Sequence, residues 1–412
     1  MKHGTPTAVV KLLAKHIPTN CRSVLEPAVG IGALLKPFAS KRFLKLEKIT
    51  AIDISAERVS VCRNDSETSE LPISYVEHDF LAWDTNDTFD CIVMNPPFNA
   101  KKRDFVEYKG KTQSVEAAFI EKAMDLLGDE GVMIAIVPSS IISSVSLTAL
   151  RENILNSFSI KKVYELNKFS FPGIEGRFYV LVAKKSGRSR EVVLEKPFSK
   201  KTVSIKLDSA FLADVGYRLD FSYHFSLVKL DHVIQESGLA FEKLKDVVSF
   251  DRGKISAPYI HEAVLHTSNY LDGEWVSKNI EDNLSRIVTA CSGDILVKRV
   301  SRNCHESFGL FDGFTTDLSD CLLRMRPREE LCGLELLFSI RTMYSSSIGR
   351  QILVKGTGAD YITTEALGNA RVPMDLHVRF NEDFAMYKLM HLEKNHEAKK
   401  RIERSVLERL VS

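Results

Sequence analysis

Short apolar runs alternate with amphipathic stretches through the first 185 or so residues. Ser23-Val24-Leu25-Glu26, Lys48-Ile49-Thr50-Ala51-Ile52-Asp53, Ile73-Ser74-Tyr75-Val76 and Phe89-Asp90-Cys91-Ile92-Val93-Met94 each predict a strand. Gly131-Val132-Met133-Ile134-Ala135-Ile136-Val137 is nearly all apolar, as a parallel strand buried on both faces requires, and Pro138 stops it. Ile160 to Leu166 and Phe178 to Lys184 read the same way. Between the runs, apolar residues recur at helical spacing. Val9, Val10, Leu12, Leu13 and Ile17 follow Thr5-Pro6, with proline at the start, where its missing N–H costs nothing. Ala117 to Leu127 and Leu147 to Phe158 predict two more helices. Strands alternating with helices imply an α/β fold around a mostly parallel sheet. The one long connection expected is Asn99 to Ser114, which carries Lys101, Lys102, Arg103, Lys109 and Lys111.

The rhythm breaks in the polar stretch Gly187 to Arg190, and Thr202 to Leu207 alternates as an exposed strand does. From residue 217 onward the pattern is of another kind: short strands, turns and late helices. The division expected is therefore 1–216 and 217–412. Landmarks of the second part are Leu244-Lys245-Asp246-Val247-Val248 with Gly253, Tyr270-Leu271-Asp272-Gly273, Gly293-Asp294-Ile295-Leu296 and Gly356 to Thr363 followed by Val372-Pro373. One long helix is expected from about Glu382 to Leu410.

Composition narrows the function. At 412 residues, 44% hydrophobic and 27% charged, the chain is long enough for two to three globular domains. A net charge of +2 gives no global basic field, so any nucleic-acid contact must come from local patches. Seven Cys without a C-x-x-C pair point to neither a disulfide framework nor a zinc site, and fit a reducing cytosol; no metal site is expected. The first residues have no apolar signal-peptide core, and no apolar run approaches a membrane span. A cytoplasmic location without membrane attachment is expected. The chain opens directly on its first motif, so no nuclease domain is expected.

Candidate chemistry gathers at the carboxyl ends of the predicted strands, where open α/β sheets bind ligands. The first strand runs into Glu26-Pro27-Ala28-Val29-Gly30-Ile31-Gly32, a glycine turn that lets backbone approach a ligand, with a helix expected after it. The second ends in Asp53, followed by Ile54, where an acid can bond ribose hydroxyls. The third closes at Asp79-Phe80, a carboxylate and a ring suited to a cofactor base. The fourth delivers Asn95-Pro96-Pro97-Phe98. Its prolines fix φ and remove two backbone donors. The Asn95 oxygen and the Pro96 carbonyl could then accept both hydrogens of an exocyclic amine, with Phe98 against the base.

In this order the motifs of residues 5 to 185 resemble the gamma-class N6-adenine DNA methyltransferases of restriction–modification systems. The resemblance implies a Rossmann-like, S-adenosylmethionine-dependent methyltransferase domain with a mostly parallel seven-stranded sheet. Thr5-Pro6 would cover the methionine end of the cofactor. Glu26, Pro27, Ala28, Gly30 and Gly32 would form its loop, with Val29 where the family often has Cys. Asp53 and Ile54 would meet the ribose side, Asp79 and Phe80 the adenine, and Asn95 both cofactor and target. Asn95, Pro96, Pro97 and Phe98 would be catalytic, and Phe171 would join Phe98 in stacking on a flipped base. The second part resembles, over about 240 to 375, a target-recognition domain of Type I specificity subunits, an α+β fold that reads duplex DNA. Lys101, Lys102 and Arg103 of the first part and Lys298, Arg299 and Arg302 of the second are the expected DNA contacts, with Arg324, Arg326 and Arg328 close to the latter. The long helix would be a spacer, a dimer arm or a docked terminus.

Methyl transfer to adenine N6 in a short duplex site is the activity this implies. A separate restriction endonuclease encoded elsewhere is the implied partner; monomer and homodimer both remain open. Transfer to RNA or to a protein glutamine, which also use an N-P-P-aromatic motif, is the alternative, and a non-catalytic DNA-binding partner is a second one. No Pro-Cys nucleophile of the cytosine-C5 kind is present.

Overall fold

The computed structural model describes residues 4–97, 105–167, 170–174, 176–198, 201–256, 259–260, 264–277, 288–356 and 360–411. They form two compact units, Met1–His224 and Phe225–Ser412. The boundary drawn from the sequence at 216/217 lies a little earlier. Residues 216–222 are tied to the first unit by the buried Arg151, which donates to the carbonyls of Gly216 (2.9 Å) and Tyr217 (2.8 Å). Ser222 N adds a bond to Glu165, at 2.8 Å.

The first unit is built on one nine-stranded sheet. Its strands are β1 (Ser23–Glu26), β2 (Lys48–Asp53), β3 (Ile73–Glu77), β4 (Phe89–Met94), β5 (Leu127–Pro138), β6 (Ser159–Glu165), β7 (Phe178–Lys184), β8 (Glu191–Phe198) and β9 (Lys201–Asp208), in the order β9-β8-β6-β7-β5-β4-β1-β2-β3. The pairs β1–β2, β2–β3, β1–β4 and β4–β5 are parallel. β7 inserts antiparallel between β5 and β6. The sheet exceeds the seven strands expected because β8 adds to β6 in parallel and brings its hairpin partner β9 with it. The apolar runs do what their composition dictates: the middle strands are buried on both faces, and Val24, Ile49, Val93, Ile134 and Val180 share one core.

Helices α1 (Thr7–Ala14), α2 (Ala56–Arg63), α3 (Val115–Leu126), α4 (Ser139–Ser143) and α5 (Thr148–Ser157) accompany the sheet. Two expectations fail. The glycine turn leads not into an α-helix but into turns and a short 3-10 segment, Lys36–Ala39. Pro37 at its start lacks a donor, and Leu34, Leu35 and Phe38 are drawn into the core. The second failure is the long connection after Asn99, half of which is a β-hairpin, Phe105–Tyr108 against Lys111–Ser114. Lys109 and Gly110, both at positive φ (50° and 70°), make its two-residue turn.

The second unit is α+β. A four-stranded sheet orders Val248–Arg252, Leu322–Pro327, Ile295–Lys298 and Gly309–Leu310, and a three-stranded sheet orders Val264–Leu265, Thr316–Leu318 and Thr289–Ala290. The landmarks have structural uses. Asp272 and Gly273, at positive φ, turn the hairpin between Tyr270–Leu271 and Glu274–Trp275. A Cβ on Gly253 would sit 2.0 Å from the Ser319 carbonyl oxygen, so only glycine lets those strands approach. Asp294 is buried, and accepts from Cys291 N (2.8 Å) and from Arg326 through both oxygens (2.7 and 2.8 Å). Thr363 caps Thr364–Gly368 by accepting from Ala366 N at 3.1 Å.

The terminal helix expected as one piece is two, Asn381–Leu392 and His396–Val411. Lys394 takes a positive φ of 54° and reverses the chain. Phe384, Tyr387, Val406 and Leu410 then face one core with Phe338 of Gly333–Tyr344. The pair docks, so it is neither spacer nor free arm. Arg341 anchors it from a fully buried position: its guanidinium grips both Glu403 oxygens and donates to the Phe308 carbonyl at 2.7 Å.

Candidate active site

The strand order reverses between β1 and β4: β2 and β3 continue on one side of β1, β5 on the far side of β4. Loops leaving adjacent strands at such a point diverge and leave a crevice at their carboxyl ends. Glu26 and Asn95 stand at the two lips of this one, with Asp53 and Asp79 following along β2 and β3.

The loop after β1 is held by β2. Val29 N donates to the Ile52 carbonyl and Gly30 N to Asp53 Oδ2, both at 2.9 Å. Gly30 and Gly32 take φ of 57° and 77°, which side-chain-bearing residues rarely adopt. Asp53 is buried, and its Oδ1 accepts from Ser55 N at 3.0 Å. Ser55, not Asp53, caps α2. A carboxylate has about four acceptor positions, so Asp53 retains capacity for a ligand diol. Ile54 beside it is 71% exposed, an apolar surface at the crevice edge. His78 N donates to the Asp53 carbonyl (3.1 Å), tying the end of β3 to the end of β2.

Glu26 is the anomaly. It is 1% exposed, and neither oxygen has a hydrogen-bond partner. Burial, reinforced by the charge of Asp53, pushes its carboxyl up to about 8. The Ala28 amide favours the ionised form, but makes no bond of ordinary geometry to it. A buried, unpaired carboxyl is costly; here it is an acceptor suited to a cationic or N–H donor.

Asn95 is the second. Its Nδ2 donates to Thr5 Oγ1 at 3.0 Å, while Oδ1 is buried and unpartnered. Pro96 next to it is buried and Pro97 exposed. The segment that brings Thr5 in lies on the glycine loop: a Cβ on Gly4 would stand 2.5 Å from the Ile31 side chain. Pro6 then starts α1, its carbonyl accepting from Val9 N and Val10 N. One N-terminal strap thus touches both lips of the crevice.

The remaining sequence-derived residues divide. Asp79 is exposed, and its Oδ1 accepts from Leu81 N at 2.9 Å. Phe80 is 2% exposed with its ring against Phe119, so it supports the loop from beneath and shows little face. Phe171, given a base-stacking role from the sequence, is 5% exposed and lies 4.8 Å from the Phe178 ring in the core. A base could not lie on it without displacing that packing. Phe98, Lys101, Lys102 and Arg103 fall outside the described residues.

In the second unit Lys298 is half-buried over the Tyr270 ring, Arg299 donates to the Asp320 carbonyl (2.9 Å), and Arg302 is exposed. Arg324 pairs with Asp251 and Arg326 with Asp294, so these two are committed within the unit. Sequence reasoning missed the Thr5–Asn95 link and the grip of Lys122 on the loop after Phe80. The only signal for Lys122 is a cation set among the apolar positions of α3.

Residues 36–171 match the family described as Eco57I restriction-modification methylase. Among curated relatives, the Type II methyltransferase M.CvrRI of Paramecium bursaria Chlorella virus XZ-6E is 25% identical, over 41% of this chain and 43% of its own length. The Type II methyltransferase M.BsuBI of Bacillus subtilis is 26% identical, over 35% of this chain and 34% of its own. The chain thus spans under half the length of either. Among solved structures, the type IIG restriction endonuclease BpuSI covers 99% of this chain and 65% of its own at 14% identity, with a TM-score of 0.50, a likeness of fold. The first unit is therefore similar to the methylases of restriction–modification systems, and the methyl donor that the sequence resemblance implies is S-adenosyl-L-methionine. The crevice suits that molecule: an unpaired buried acid at the glycine loop, an acid with acceptor capacity at β2, and an exposed acid at β3.

Proposed function

We propose that this chain is a site-specific DNA methyltransferase that methylates the N6 amine of adenine in a short duplex sequence. The carrying observation is the Asn95 amide: nitrogen bound to Thr5, oxygen buried and unpaired. Such an oxygen accepts, and an exocyclic amine is the donor that the reaction presents.

The adenine amine is a poor nucleophile because its lone pair is delocalised into the ring. Accepting its two hydrogens at Asn95 Oδ1 and the Pro96 carbonyl draws the nitrogen towards tetrahedral geometry and frees that pair. The bound cofactor supplies an electrophilic methyl group on a sulfonium. Glu26 and the Gly30–Gly32 backbone hold its amino-acid end under the Thr5–Pro6 strap, Asp53 its ribose hydroxyls, and Asp79 its base amine. The target base leaves the stack to reach the pocket, at a cost of a few kcal/mol that stacking on Phe98 offsets by about 1–3 kcal/mol. The second unit, Phe225–Ser412, selects the sequence, with Lys298, Arg299 and Arg302 as contacts, and a separate endonuclease is the partner of such an enzyme.

The test is transfer of a tritiated methyl from the cofactor to duplex DNA by the native chain and by Asn95→Ala. The native chain labels DNA; the variant still binds cofactor and does not. Labelling of RNA or protein alone, or near-native transfer by the variant, refutes the reading.

A further inference from the structure

The loop after β3, which carries Asp79 and Phe80, is fastened by one helix. It is a tight turn: the Asp79 carbonyl accepts from Ala82 N (3.0 Å) and Trp83 N (2.8 Å), and Asp79 Oδ1 accepts from Leu81 N. On α3, Phe119 and Lys122 stand one turn apart and face this loop. The Phe119 and Phe80 rings lie 4.9 Å apart, and the Lys122 ammonium lies 5.2 Å from the Phe80 ring centre. The same ammonium donates to the Leu81 carbonyl at 3.0 Å and to the Trp83 carbonyl. One cation thus closes the loop over the ring that underlies it.

Nothing in the packing of α3 demands a charge there. Its neighbours Phe119, Ile120, Ala123 and Met124 are buried and apolar, and a methionine would fill the same space. Burial works against the Lys122 charge, with Asp84, Asp79 and Asp125 working for it. What the ammonium adds is orientation of the loop's backbone, and through it of the Asp79 carboxylate.

We propose that Lys122 is a positioning residue for the cofactor's adenine: it fixes the loop so that Asp79 meets the base amine. This rests on the reading of the crevice as an S-adenosylmethionine site. It assigns the cofactor's base selectivity to a residue outside the recognised motifs.

The chain has two tryptophans, and Trp83 lies in this loop while Trp275 is buried in the second unit. Native chain, Lys122→Met and Lys122→Arg are titrated with S-adenosylhomocysteine, following Trp83 fluorescence and calorimetry. Lys122→Met raises Kd about tenfold, the loss of roughly one charged hydrogen bond. It makes Trp83 easier to quench and leaves the melting temperature without ligand unchanged. In turnover the cofactor KM rises while kcat at saturation holds, and Lys122→Arg restores most of the affinity. Lys122→Gln, a milder change that keeps a donor, gives a smaller rise and serves if the methionine variant folds poorly. Native-like Kd in both Met and Gln variants, or a fall in kcat at constant KM, overturns the inference alone. No binding by the native chain overturns the cofactor reading itself, and this inference with it.

Discussion

Asn95 donates its amide N–H to the Thr5 hydroxyl, from a residue 90 positions away, and this bond turns its oxygen into the crevice. Without it the amide could rotate and present hydrogens to an amine that also presents hydrogens. Thr5→Val should therefore lower kcat roughly tenfold, as losing one orienting hydrogen bond of about 1.4 kcal/mol would. Thr5→Ser should restore it. Steady-state kinetics on both variants, with DNA and cofactor saturating, checks this; equal kcat in Thr5→Val and native chain removes the role.

Glu26 gives a prediction about pH. Its carboxyl is raised by burial and by Asp53 from an ordinary 4.5 to about 8. The folded chain holds this proton where the unfolded chain has already released it. The associated stability is fully present below pH 4.5 and is lost as pH rises towards 8. Glu26→Gln carries no such proton, so the ligand-free variant should gain melting temperature over the native chain as pH rises from 5 to 8. The same variant should bind S-adenosylmethionine more weakly, because a cationic amine loses the carboxyl there that can ionise against it. Melting curves across that range check it; a difference independent of pH contradicts the assignment.

The Arg341–Glu403 pair fastens the terminal helices to the second unit. Removing one partner leaves the other buried and unpaired, at about 3–5 kcal/mol. Glu403→Leu should therefore destabilise the chain strongly, while Arg341→Met with Glu403→Leu should recover most of the loss. Denaturant unfolding of the single and double variants measures it, and equal losses in both would contradict the pairing.

Arg302 and Arg326 should behave differently although the sequence grouped them together. Arg302 is exposed, and neutralising it should weaken DNA binding and flatten the salt slope by about one. Arg326 is spent on the buried Asp294, so Arg326→Ala should lower stability. Salt-dependent binding isotherms beside melting curves separate the two.

The middle strands of the first unit were legible because each is a largely apolar run buried on both faces, and a short run of that kind, bounded by polar residues, fits a parallel strand. The residues at strand ends were legible for the same reason: topology puts them in one crevice. What was not legible depended on partners far along the chain. Nothing local says that Thr5 meets Asn95, that Phe171 turns inward onto Phe178, or that Arg326 answers Asp294. The glycine loop misled because Gly-x-Gly suits a helix start, while Pro37 and a row of core-seeking leucines decide otherwise. The terminal helix misled because its apolar positions fit one long face as well as two short ones. Lys394, at positive φ, divides them, and Asn395 starts the second by accepting from Ala398 N at 3.1 Å.

The proposed role of the Asn95 oxygen is to prepare an adenine amine for methylation. Its most direct test is to sequence native DNA from cells that express the full chain or Asn95→Ala, identifying modified bases. N6-methyladenine confined to one short sequence is expected with the native chain, and none with the variant. N4-methylcytosine in its place, the same adenine pattern from the variant, or no modified base from the native chain would contradict it.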